Sequence, residues 1–228
     1  MSTLLLRLAA PLQAWGSDAK FDRRGTERVP TKSGVIGLIA AAQGRRRDES
    51  VADLATLRFG VRVDQEGKLL RDFHIAQRPG KKDPYVSHRY YLADAVFLVG
   101  LEGDDATLAD IDEAIRRPAY PLFLGRRSCP PEGQVSLGIR RGKSLIEALE
   151  QEPLQASNRS DRLRLIYDAG PEDAFFYLLR DNPISFNPEN RQHGFRRIAE
   201  RTIENRWTAD QADREPETDH DPFSILGG

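Results

Sequence analysis

Alternation opens the chain. In residues 3–8, TLLLRL, a leucine occupies every second position, so a strand carrying Leu4, Leu6 and Leu8 on one face is predicted. After Thr31 the period changes. Val35, Ile36, Leu38 and Ile39 recur at helical spacing, Thr31 suits an N-cap, and Gly44 ends the run. ESVADLATL predicts a second, short helix. RFGVRV, residues 58–63, returns to period two, with Phe59, Val61 and Val63 on one side and Arg58 and Arg62 on the other. LLRDFHIAQ repeats that alternation after a turn at Glu66 and Gly67. ADAVFLVGL then reads as a buried strand, and TLADIDEAIRR as a helix turning Leu108, Ile111 and Ile115 inward.

In order, these segments run strand, helix, strand, hairpin excursion, strand, helix. That is the β-α-β-β-α-β pattern of an α+β, ferredoxin-like domain with an arm inserted between its middle strands. The arm is expected at residues 78–89, where proline, glycine and basic side chains replace apolar ones, giving a thumb at about 77–91. Residues 10–31, with Pro11, Gly16, Gly25 and Pro30, make a connection longer than a compact domain needs and are expected to be functional or disordered. Beyond Pro118 come a loop, FLGRRSCPPEG, a strand, VSLGI, a helix, SLIEALEQ, and two strands, RLRLIY and FFYLL. The expected organisation is a ferredoxin-like domain over 1–125, a smaller strand-rich unit over 126–207 and a mobile acidic tail over 208–228.

With 228 residues, 39% hydrophobic, the chain can bury a genuine core without staples. Its one cysteine, Cys129, excludes an internal disulfide framework, and no window reaches the roughly 18–20 apolar residues of a membrane span. A cytoplasmic protein with no membrane partner is expected. Net charge is only −1, but the charges are segregated. Lys20 to Arg47 holds 8 basic residues against 2 acidic, and Phe123 to Lys143 holds 5 against 1. Thr208 to Pro222 reverses the balance, with 6 acidic residues against 1 basic. A neutral total therefore conceals local basic surfaces able to meet phosphates.

Several motifs bear on chemistry. GIRRGKS, Gly138 to Ser144, follows a strand and opens a helix as a phosphate-binding loop does. It has three residues between its glycines where that loop needs four, so it reads as a basic strand-to-helix turn or, alternatively, an RNA phosphate contact. Gly34, Gly37 and Gly44 make no dinucleotide fingerprint; Gly34 and Gly37, one turn apart, instead permit close approach of another backbone to the helix. Lys32 and Ser33 stand at the N-terminus of that helix, where the dipole and free N–H groups favour an anion. The four histidines have no ligand spacing with Cys129, so neither a metal nor a cofactor is expected. SHRYY sets His88 beside Arg89, Tyr90 and Tyr91, a group that suits metal-free acid/base chemistry on RNA or, equally, base stacking and phosphate contact. NRQHGFRRIAERTIENR, Asn190 to Arg206, is either a basic surface for RNA or protein or a solvated face.

Three stretches together resemble a known family. LLLRLAAPLQAWG, RGTERVPTKSGVIGLIAAAQGRRR and PLFLGRRSCPP are similar in sequence and order to the CasD family of subunits of the type I-E CRISPR surveillance complex, Cascade, over residues 3 to 131. The resemblance implies an RNA-recognition-type domain with a protruding thumb. It implies a non-catalytic subunit that holds the 5′ handle of the guide RNA, caps one end of the backbone, contacts the backbone and large subunits, and meets target DNA through the assembly. The residues it assigns to RNA are Arg23, Arg24, Arg28, Lys32, Ser33, Arg45, Arg46, Arg78, His88, Arg89, Tyr90, Arg126 and Arg127. Some related members are metal-independent endoribonucleases that use a Tyr, Lys and His set. This sequence carries no Lys-His pair, and processing of repeat RNA stands as the alternative function.

Overall fold

A computed structural model of the chain describes residues 1–16, 19–20, 23–77, 80, 84–156 and 160–207; the tail expected at 208–228 lies outside them. Along the chain come β1 (Ser2–Ala9), the short strands β2 (Leu12–Gln13), β3 (Ala19–Lys20) and β4 (Arg23–Arg24), then α1 (Lys32–Ala42) and α2 (Ala52–Ala55). There follow β5 (Arg58–Gln65), β6 (Lys68–Ala76), β7 (Tyr85–Ala93), β8 (Val96–Gly103) and α3 (Asp105–Arg116). The last third adds β9 (Ser136–Arg140), α4 (Leu145–Gln151), β10 (Arg162–Asp168), β11 (Tyr177–Ser185) and β12 (Gln192–Glu204).

The fold is α+β and its main sheet is antiparallel throughout, in the order β11-β12-β10-β5-β8-β1-β9. Helix α1 lies on the connection from β1 to β5, and α3 on that from β8 to β9. Both cover the face bearing Leu4, Leu6, Leu8, Phe59, Val61 and Val63. The opposite face is also covered. Leu5, Leu98, Leu165 and Tyr167 pack beneath Leu145, Ala148 and Leu149 of α4.

Double coverage explains a departure from expectation at Arg62. The alternation of β5 puts this side chain opposite the core face, yet it is fully buried, because the other face carries α4 rather than solvent. Its guanidinium donates to Asp64 at 2.6 and 2.9 Å and to the carbonyls of Leu149, Glu152 and Pro153, satisfying the C-terminal end of α4. Strand pairing also crosses the boundary expected at residue 125. β9 pairs with β1 and β10 with β5, so the strands expected to form a separate unit over 126–207 continue the first sheet.

The arm is a long hairpin, β6 with β7, paired from Lys68 opposite Ala93 to Ala76 opposite Tyr85. Tyr85 to Arg89, expected as irregular excursion, is therefore strand. Polar and basic residues can form an arm strand because neither face needs a core; backbone pairing holds it. At its root β7 also pairs with β2 and, in parallel, with β4, making a second sheet.

Candidate nucleic-acid interface

The root of the arm is held by a tied loop. Residues 10–31, expected as one long loop, contain short strands and a buried anchor, Trp15, which is 1% exposed. Its indole donates to Gln13 Oε1 at 3.0 Å, and the Gln13 amide donates to Leu8 and Ala95 carbonyls. The indole lies against α1, where a Cβ on Gly34 would come within 2.8 Å of the ring; the helix glycine admits an aromatic side chain, not another backbone. Trp15 N–H donates to Thr26 Oγ1 and its carbonyl accepts from Glu27, folding the basic stretch 23–28 back on the strand.

The FLGRRSC loop docks on the same segment. Ala14 N–H donates to the Leu124 carbonyl, and Leu124 and Cys129 close a tight turn. Gly125 sits at φ +85°, and a Cβ there would fall 1.6 Å from the Ala14 carbonyl oxygen, so only glycine fits. This turn aims Arg126. Its guanidinium lies 4.5 Å from the Tyr91 ring centroid and donates to the Gly25 carbonyl at 3.4 Å. Three segments distant in sequence, 23–28, β7 and 123–129, thus meet through one arginine. Burial pushes the neighbouring Cys129 thiol up from its ordinary value.

Most of the residues assigned to RNA converge on this root. Arg23 pairs in register with His88 and Arg24 with Arg89. Arg28 and Arg127 are exposed. His88 and Tyr90 share one face of β7, with His88 tilted against Phe73 at 5.8 Å, and Arg89 lies opposite Asp72 in register. Arg78 lies outside the described residues.

Four assigned residues do not join this group. Lys32 and Ser33 are each only 5% exposed, so the anion site expected at the start of α1 is already filled. Asp181, from β11, accepts from Lys32 N–H at 2.9 Å, and Lys32 Nζ donates to Asp168 at 3.2 Å. Arg196 completes the cluster, donating to Asp181 at 2.6 and 2.9 Å and to Asp168 at 2.7 Å. Burial pulls the Lys32 ammonium below its ordinary value, and Asp168 opposes that shift. Arg45 and Arg46 follow the other end of α1. Arg45 is bound to Asp53 at 2.7 Å and to the Ser50 carbonyl, and Arg46 lies 3.6 Å from Asp48. An 11-residue helix, about 16 Å at 1.5 Å per residue, separates these arginines from Lys32.

Sequence reasoning missed the carboxylates that fill the helix N-terminus. Asp168 ends an alternating strand and Asp181 follows Arg180 directly, so each reads as an ordinary strand carboxylate, and no local pattern names Lys32 or Arg196 as its partner. The arm root as a whole offers cations and aromatic faces, which can hold phosphates and stack bases. No group of three or more His, Cys, Asp or Glu able to hold a metal occurs among the described residues.

The family model described as CRISPR-associated protein (Cas_Cas5) matches residues 3–199. The CRISPR system Cascade subunit CasD of Escherichia coli (strain K12) is 36% identical over 171 residues, covering 65% of this chain and 75% of that protein. A solved crystal structure of a Cas protein is 40% identical, with a TM-score of 0.72 over 89% of this chain and 95% of its own. A chain of a solved CRISPR RNA-guided surveillance complex is 34% identical, with a TM-score of 0.75 over 89% of this chain and 90% of its own.

Proposed function

The chain belongs to the CRISPR-associated protein (Cas_Cas5) family, and on that premise we propose that it is a subunit of an RNA-guided surveillance complex, binding the 5′ handle of the guide RNA at the root of its arm. It caps one end of the backbone, works in the cytoplasm beside the backbone and large subunits, and meets target DNA through them. The observation that carries this reading is Arg126, which joins the basic 23–28 stretch, β7 and the FLGRRSC loop at one point. Arg23, Arg24, Arg28, Arg89 and Arg127 supply positive charge there, and His88 and Tyr90 supply ring faces for splayed bases. Lys32 and Ser33 are buried and Arg45 is held by Asp53, so the proposed contact does not use them, and Arg46, though exposed, stands beside Arg45 past the other end of α1. The order β9-β1-β8-β5, with α1 and α3 as crossovers, supports reading the core as ferredoxin-like.

The subunit holds RNA without cutting it. Incubating the full chain with labelled repeat RNA in EDTA, followed by matched native and denaturing gels, tests both halves. A shift that requires the handle, with intact RNA, is expected. Equal binding of RNA lacking the handle overturns the assignment, and specific cleavage in EDTA makes the chain a processing nuclease, with His88 and Tyr90 the first residues to replace.

A further inference from the structure

Apart from Met1, Tyr120, Tyr177 and Ile184, the exposed large apolar side chains among the described residues fall into two groups. One lies on the arm, within the proposed RNA site. The other lies where β11 and β12 extend past α4. Ala199 and Ile203 of β12 pack under that helix, so the alternation of the strand brings Phe195 and Arg197 to the same face beyond it. Arg197 stands opposite Leu178 of β11, and its guanidinium lies 4.8 Å from the Phe176 ring. Phe195 is 65% exposed, Leu178 61%, Phe176 47% and the adjoining Phe175 91%. Phe176, Phe195, Leu178 and Arg197 thus share one uncovered patch.

We propose that this face of β11 and β12 docks a neighbouring protein subunit presenting apolar side chains bordered by carboxylates. Charge sets the chemistry of the partner. Arg197 makes no ion pair among the described residues, and Arg180 donates only to the His193 carbonyl. Neither guanidinium has a carboxylate partner among the described residues, so both are free to meet carboxylates of a partner protein. Nucleic acid fits less well, because it needs a continuous basic track. Nearby Arg164 is already neutralised by Glu66 and Glu200, and Arg201 by Glu150. Aromatic side chains and arginine at the centre with a polar border are the composition of a protein interface core.

The inference rests on the reading of the chain as a complex subunit, and its test separates the two. The complex is assembled from the full chain, guide RNA and the other subunits, and purified through a tag on another subunit. Phe195→Asp combined with Arg197→Glu is expected to lower incorporation about tenfold or more, the loss of a buried anchor at an interface. The isolated variant keeps wild-type affinity for handle RNA; absence of handle binding in the wild-type chain would count against the function instead. Incorporation at the wild-type level overturns the docking surface. Hydroxyl-radical labelling of the unaltered chain decides independently of how the variant folds. Phe176 and Phe195 should become protected only on assembly, and protection by guide RNA alone would reassign the patch to nucleic acid.

Discussion

Replacing Asp181 with alanine is the most direct challenge to the structure described here. The carboxylate is fully buried and accepts two bonds from Arg196 and one from Lys32 N–H at the start of α1. Asp181→Ala leaves Arg196, itself only 8% exposed, with Asp168 and the Phe59 ring as its remaining neighbours. Removing one partner of a buried, hydrogen-bonded ion pair costs about 3–5 kcal/mol. A lost helix cap adds about 1 kcal/mol, though Thr31 still caps Gly34. The terms share one carboxylate and do not sum in full, so about 4 kcal/mol is expected. At about 2–4 °C per kcal/mol for a chain of this size, Tm should fall by about 8–16 °C. Urea unfolding followed by tryptophan fluorescence measures the change, since Trp15 packs against α1. A double-mutant cycle with Arg196→Ala should return a coupling of at least about 1.5 kcal/mol. A total loss below about 1 kcal/mol, or zero coupling, would refute the claim that this cluster locks the helix to the sheet.

Three further outcomes follow from other sites. Gly125→Ala should lower stability by at least about 2 kcal/mol and abolish the handle-dependent gel shift, because its Cβ collides with the Ala14 carbonyl and the backbone sits at positive φ; a wild-type urea midpoint would contradict it. Arg126→Ala and Arg127→Ala should each reduce the salt slope of handle binding by about 0.7, one phosphate contact on single-stranded RNA, and unchanged slopes in both would remove them from the interface. Burial, reinforced by a 2.7 Å bond to Asp173, pushes the Tyr167 hydroxyl up from 10 to about 12. The native state therefore keeps a proton that the unfolded state loses, and stability should fall as pH rises between 10 and about 12. Tyr167→Phe should flatten that decline in urea midpoints taken across the window, and an equally steep decline would discount the role of Tyr167.

The elements themselves were largely legible because each rests on local pattern. Leu4, Leu6 and Leu8, the Thr31 cap, the inward stripe of α3 and the alternation of β5 all appear where periodicity puts them. Charged positions were less legible, because their surroundings come from elsewhere in the chain. Lys32 reads as a phosphate ligand until Asp168 and Asp181, 136 and 149 residues away, arrive to bury it. Arg62 reads as a solvent-facing strand residue until α4 covers it. At the arm root the motifs FLGRRSC and RGTER were visible, but their meeting depends on a turn at Gly125 and an indole at Trp15 whose partners no local pattern names.

The lock on α1 also has a timetable. Its carboxylate is made 149 residues after the helix it caps, which at roughly 5–20 residues per second means a wait of roughly 7–30 s during synthesis. The segments of the arm root, from Ala14 to Cys129, emerge complete before Asp181 exists. A nascent chain therefore displays the surface proposed for RNA while the end of its first helix is still open.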